Sequence, residues 1–244
     1  MHIAARNLEF AYQTQPLFKG FYLTLLEPGE AIPRRPLAIL GPSGSGKTTL
    51  LKLMGGLLQP RTGELITPHR VSFMFQENRL LPWLTVLENV AIPLEKELGR
   101  DAARERARHF LSLMGMGAME GKLPRELSGG EARRVSMARA FAYPAPLIFM
   151  DEPYQSLDLP LRIKLMDLSL SLLSKEERML ILVTHDPREA IYLASRVLVL
   201  GKGGRGIIYD KILDMDDGDR IYGSAAGGLL EQEMMRTLEE GMLP

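Results

Sequence analysis

Four runs of consecutive apolar residues punctuate the chain: Leu37–Leu40, residues 147–150, Met179–Val183 and residues 197–200. Apolar runs this short, without polar alternation, read as strands buried on both faces. Apolar positions at helical spacing fill residues 128–143, 159–174 and 187–195. Strands alternating with helices predict a mostly parallel sheet covered on both sides.

The first half is patterned differently. Residues 3–10 and 21–26 read as strands, and the two prolines in residues 31–36 predict a loop. A helix after Leu40 is expected to run to about Leu58, before Pro60. Residues 62–68 and 71–75 read as two short strands. From residue 85 to 125 the period becomes helical, with Val86, Leu87, Val90 and Ala91 on one face and Ala103, Ala107, Phe110, Leu111 and Met114 on another. Near the end, Leu229, Leu230, Met234 and Leu238 share roughly one face of a helix of no assigned function.

Composition narrows little. The 244 residues, 45% hydrophobic and 25% charged, are ordinary for a soluble globular chain and ample for a core. Thirty basic and thirty acidic residues balance, so no nucleic-acid footprint is visible and no nucleic-acid partner is expected. The absence of cysteine excludes disulfides and thiolate metal sites, with a reducing cytosol as the default. Residues 1–6 lack the apolar core of a signal peptide, and no apolar run is long enough to span a bilayer. Any work at a membrane would pass through a partner.

Chemistry enters at Gly41-Pro42-Ser43-Gly44-Ser45-Gly46-Lys47-Thr48-Thr49. Gly41, Gly46, Lys47 and Thr48 fit the G-x-x-x-x-G-K-[ST] phosphate loop, between a strand and a helix as that motif requires. Glycines turn successive N–H groups inward and leave room for a phosphate, and the helix start adds its positive dipole end. Lys47 would reach the β- and γ-phosphates of a nucleoside triphosphate, and Thr48 would ligate Mg²⁺. A Gly/Ser-rich surface turn is the bland alternative.

Residues 147–150 run into Asp151 and Glu152. At the carboxyl end of a parallel strand these acids face the phosphate loop. Asp151 would then hold Mg²⁺ and Glu152 would act as general base on a water; ordinary acidic turn residues are the alternative. Ser128 and Glu131 make a capping box, which could exist only to start a helix. The adjacent Gly129 and Gly130, however, let an external anion approach the exposed N–H groups.

These motifs, with Gln76, LSGGE at Leu127, IFMDEP at Ile148, SLD at Ser156 and THD at Thr184, stand in one order over roughly residues 3–209. In that order the chain resembles the nucleotide-binding subunits of ATP-binding cassette (ABC) transporters. The resemblance implies an α/β fold: a P-loop NTPase core, mostly parallel sheet flanked by helices, with a small antiparallel β sub-domain and a helical sub-domain. Residues 1–84 and 127–210 would form the core with its antiparallel part, 85–126 the helical sub-domain and 211–244 a C-terminal tail.

It also implies roles. Tyr12 matches the aromatic that stacks on adenine; a core tyrosine is the alternative. Gln76 matches the glutamine that touches Mg²⁺ and the attacking water. Ser128, Gly129 and Gly130 match the signature that contacts the γ-phosphate of ATP held by a second subunit, and Asp158 the aspartate that crosses that interface. His185 matches the switch histidine at the γ-phosphate, although Asp186 and Pro187 after it also make a plain helix entry. One set of motifs per chain implies a head-to-tail homodimer with two ATPs between its copies.

Three departures are visible: Glu131 where most members have Gln, a longer proline-rich stretch after Glu30, and a shorter one between Gly63 and Gln76. The segment FQE-x-x-LLPW-x-TV-x-x-NV is similar to the ATPase subunits of nitrate, sulfonate and taurine importers. That similarity implies docking of a transmembrane permease through residues 76–90, an external solute-binding protein, and residence on the cytoplasmic face of the cell membrane. Leu80, Leu81 and Trp83 would be apolar anchors there, with burial of Trp83 inside the helical sub-domain equally open. A soluble ABC-type ATPase unconnected to transport is the alternative function. Residues 202–206 read as a hairpin loop, because β-like Ile207 and Ile208 follow them.

Overall fold

A computed structural model describes residues 1–241. Among the described residues nine strands form two sheets. In the first, β1 (Ile3–Tyr12) lies between β2 (Gln15–Leu26) and β4 (Thr62–Ile66), all antiparallel. In the second, β3 (Leu37–Leu40), β5 (Val71–Met74), β6 (Leu147–Asp151), β7 (Met179–Val183), β8 (Arg196–Leu200) and β9 (Ile207–Ile212) lie in the order β5-β6-β7-β3-β8-β9. Only β9 runs antiparallel in this sheet, paired with β8.

The unbroken apolar runs are explained by two cores, one on each face of the larger sheet. Leu37, Ile39, Phe149 and Ile181 point into one, shared with α1 (Lys47–Met54) and the antiparallel sheet. Ala38, Leu40, Ile148, Met150, Leu180 and Leu182 point into the other. That second core also takes α2 (Val86–Ala91), α4 (Arg100–Leu113), α5 (Gly129–Ala142), α6 (Leu159–Glu176), α7 (Pro187–Leu193) and α8 (Ala225–Glu240). The short α3 (Glu95–Leu98) connects α2 to α4. Side chains alternate across a strand, so a strand buried on both faces must be apolar at every position.

Several boundaries differ from the pattern reading. β5 joins the parallel sheet beside β6, while β4 joins the antiparallel one. α1 stops at Met54 because Gly56 takes φ 70 and the amides of Gly56 and Leu57 turn back to the carbonyls of Leu53 and Lys52. That is a glycine C-cap of the Schellman type. In α8, Met234 and Leu238 are buried, but Leu229 is 79% exposed and leaves the expected face. Residues 242–244, the last of the expected tail, lie outside the described residues.

Parallel register brings three strand ends together. Ile39 pairs with Val183, and Asp151 pairs with Val183 from the other side. Hence the loops after Leu40, Asp151 and Val183 open on the same edge, where ligands bind in sheets of this kind.

Candidate functional site

The loop after β3 curls back on itself, with Ser45 N–H donating to the Pro42 carbonyl at 3.2 Å. Gly41 is obligatory there: a Cβ would lie 2.5 Å from the Leu200 carbonyl oxygen and 2.7 Å from Ser45 Oγ. Gly46, at φ 99, starts α1 in the left-handed region. Lys47 is buried, and its Nζ donates to the Gly41 and Pro42 carbonyls at 2.7 and 3.0 Å. Burial lowers the Lys47 pKa, against the pull of Glu152 and Asp151.

Thr48 Oγ1 donates to Asp151 Oδ2 at 2.7 Å. Burial raises the Asp151 pKa, opposed by that hydrogen bond. Asp151 Oδ1 and Ser45 Oγ are buried without a hydrogen-bond partner. An orphaned carboxylate oxygen beside a threonine hydroxyl is a donor set that suits a hard cation such as Mg²⁺. Glu152, the next residue, sits at φ 50, and its Oε2 lies 2.9 Å from His185 Nδ1. The turn bearing His185 is held from below: Thr184 Oγ1 donates to the buried Glu189 carboxylate at 2.5 Å, and Asp186 caps α7 by accepting from Arg188 N–H.

Two adjoining clefts meet here. The first, about 550 Å³, is lined by Ser43, Gly44, Gly46, Lys47, Thr48, Thr49, Gln76 and Glu152, with Tyr12 at its side. Tyr12 is half-exposed rather than a core residue, and its hydroxyl lies 3.3 Å from Thr49 Oγ1. The second, about 510 Å³, shares Ser43, Lys47, Gln76 and Glu152 and adds Gly41, Pro42 and His185. Its far wall is Met235, Leu238 and Glu239 of α8. The sequence reading did not place α8 there, nor Gly203 and Gly204 of the β8–β9 hairpin loop against the first cleft.

Ser128, Gly129, Gly130 and Asp158 line neither cleft. They lie beside one another: a Cβ on Gly130 would be 3.6 Å from Leu157. Ser128 and Glu131 form the full capping box, Glu131 Oε2 accepting from both the amide and the hydroxyl of Ser128 at 2.8 Å. The Glu131 carboxylate therefore faces the cap. Asp158 caps α6 by accepting from Leu161 N–H.

Trp83 is 72% exposed, which removes the interior alternative. The loop that carries it is fastened by buried Asn89, whose side chain bonds the backbone of Leu81, Leu84 and Thr85. Leu80 is half-buried against the core. Sequence reasoning also missed Arg133, a buried guanidinium whose donors reach carbonyls beside Gln76 and at residues 151–153. An arginine in α5 followed by Val135, Met137 and Ala138, all buried, was the available signal.

A family model for ABC transporters matches residues 30–155. The chain belongs to the ABC transporter family. This ABC chain is 41% identical over 201 residues to the aliphatic sulfonates import ATP-binding protein SsuB 3 of Paraburkholderia xenovorans, covering 82% of this chain and 77% of that protein. It is 42% identical over 238 residues to SsuB 2 of Mesorhizobium japonicum, covering 97% and 91%. A solved dimer of the ATP-binding cassette MJ0796, bound to ADP and Pi in a post-hydrolysis state, superposes with a TM-score of 0.76. It is 28% identical and covers 88% of this chain and all of that one. The ABC chain is thus the ATP-binding, ATP-hydrolysing component of a transporter. Among the described residues no helix is long and apolar enough to cross a membrane.

Proposed function

We propose that this ABC subunit drives import of a small anionic solute of the sulfonate type. The observation that carries the reading is the cluster of Lys47, Thr48, Glu152 and His185 around two adjoining clefts, with Asp151 bonded to Thr48, and with Ser128–Gly130 and Asp158 turned to the surface elsewhere. The N–H groups of residues 43–49 and the Lys47 ammonium bind the triphosphate, and Tyr12 stacks on adenine. Thr48, Asp151 and Gln76 hold Mg²⁺, which when bound offsets charge on the phosphate oxygens. Glu152 takes a proton from the attacking water, and His185, bonded to Glu152, orients that carboxylate.

A second copy supplies Ser128, Gly129, Gly130 and Asp158, so ATP joins two head-to-tail subunits and hydrolysis releases them. Residues 76–90 dock a transmembrane permease, with Trp83 as the exposed anchor, at the cytoplasmic face of the membrane. An external solute-binding protein completes the system. The names of the sulfonate-importer relatives support the solute class, and the exposure of Trp83 supports the docking face.

The test has two arms. Glu152→Gln should abolish turnover while ATP binding persists; turnover at the parent rate contradicts the general-base role. Membrane extraction should recover the chain with a permease, and ATPase activity of the reconstituted complex should rise with an alkanesulfonate. Soluble protein alone, indifferent to sulfonates, contradicts the transport reading.

A further inference from the structure

The Arg133 side chain is 5% exposed and is given over almost wholly to main-chain carbonyls from two separate segments. Nη1 donates to Phe75 and Gln76 at 3.1 and 2.5 Å. Nη2 donates to Asp151 at 3.0 Å and to Glu152, and Nε donates to Pro153 at 3.1 Å. The planar fork of a guanidinium suits this task, since its donors diverge at fixed angles. Arg139, further along α5, donates to the carbonyls of Asn78 and Arg79 at 2.8 and 2.9 Å.

Glu152 needs such a grip. A non-glycine residue at φ 50 is strained and persists only where its surroundings hold it. Its amide is fixed by the Val183 carbonyl at 2.9 Å, and three successive carbonyls around it face Arg133. The same guanidinium faces the carbonyls of Phe75 and Gln76. If residues 75–79 shift, buried donors lose their acceptors, which is costly unless the fork turns with them.

We propose that Arg133 is a positioning residue that makes the aim of Glu152 depend on the placement of residues 75–79, and so on what docks at Trp83. The proposal rests on the reading of Glu152 as general base. Arg133 makes no hydrogen bond to the phosphate loop, so its loss acts on the catalytic step and on Gln76 and Asp151 while the loop's own phosphate contacts stay in place.

The experiment compares Arg133→Ala and Arg133→Lys in the full chain, with kcat and KM for ATP, ATP affinity, melting temperature and Trp83 fluorescence as readouts. Arg133→Ala should lower kcat about tenfold or more, with the affinity for ATP measured without Mg²⁺ within about twofold. Guanidinium ion at millimolar concentration should restore part of the rate, and the ATP-induced change in Trp83 emission should be lost. If Arg133→Ala does not fold, Arg133→Lys decides: one nitrogen cannot span both segments, so kcat should fall while the fold is kept. A folded variant with parent kcat and an unaltered Trp83 response overturns the proposal. If Glu152→Gln is inactive in the same assay, that failure leaves the general-base reading standing.

Discussion

The phosphate-loop half and the signature half of the molecule are both built from glycines at a helix start, yet they are finished differently. Around Lys47 the polar groups are buried, face one another and leave two orphans, Ser45 Oγ and Asp151 Oδ1. Around Ser128 the polar groups are exposed, and the Ser128 amide and hydroxyl are taken up by their own helix through the Ser128–Glu131 box. Unsatisfied buried polar atoms mark a place organised for a ligand. An exposed helix start whose Gly129 and Gly130 amides lack an intrahelical acceptor is a surface open to another molecule. On the proposed function, one chain carries a nearly complete site and a separate donor surface.

Breaking the first half should have the largest effect. Lys47→Ala removes the buried cation and should lower kcat/KM for ATP hydrolysis at least about a hundredfold. A loss below about tenfold in steady-state kinetics would mean that Lys47 is a structural lysine satisfied by its loop carbonyls. Next in size is the Tyr12 side of the cleft, proposed above to take adenine. Tyr12→Ala should weaken ATP binding about tenfold, as loss of one base–aromatic stack does, while Tyr12→Phe stays within about twofold in equilibrium titration.

The smallest effect belongs to the second half. Hydrogen bonds from the Ser128 amide and hydroxyl hold the Glu131 carboxyl below its ordinary value of 4.5. A depressed carboxyl stabilises the cap above that ordinary value, and the contribution fades as pH falls through the folded value. The protection factor of the Glu131 amide, its observed exchange relative to the intrinsic rate at each pH, should therefore fall in acid, and Glu131→Gln should flatten that dependence. An unchanged acid profile in Glu131→Gln would remove the cap from the account.

Much of this contrast was legible in sequence because its chemistry is local. Gly41 to Thr49, Ser128 to Glu131, and Asp151 with Glu152 each place their groups within a few residues, on a strand end or helix start that the apolar pattern also marks. What was not legible depends on distant backbone. Arg133 takes its meaning from carbonyls at residues 75–76 and 151–153, which no side-chain pattern announces. The wall that α8 makes with Met235 and Leu238 arises from docking of its second half: Lys202 N–H donates to the Gly241 carbonyl, and Lys211 pairs with Glu233 at 2.6 Å. Trp83 was undecided in sequence because burial of a tryptophan is set by its surroundings, here an Asn89-fastened loop. The end of α1 could have been read from Gly55-Gly56, which the apolar run through Leu58 masked.

The central claim is that the two halves meet only between copies. It is tested most directly by measuring the molecular mass of Glu152→Gln in solution with saturating ATP, alone and combined with Gly130→Asp. The account predicts an ATP-dependent dimer for Glu152→Gln, and a monomer that still binds ATP once Gly130 carries a carboxylate. A Glu152→Gln chain that binds ATP yet stays monomeric, or a double variant that dimerises equally well, would contradict it.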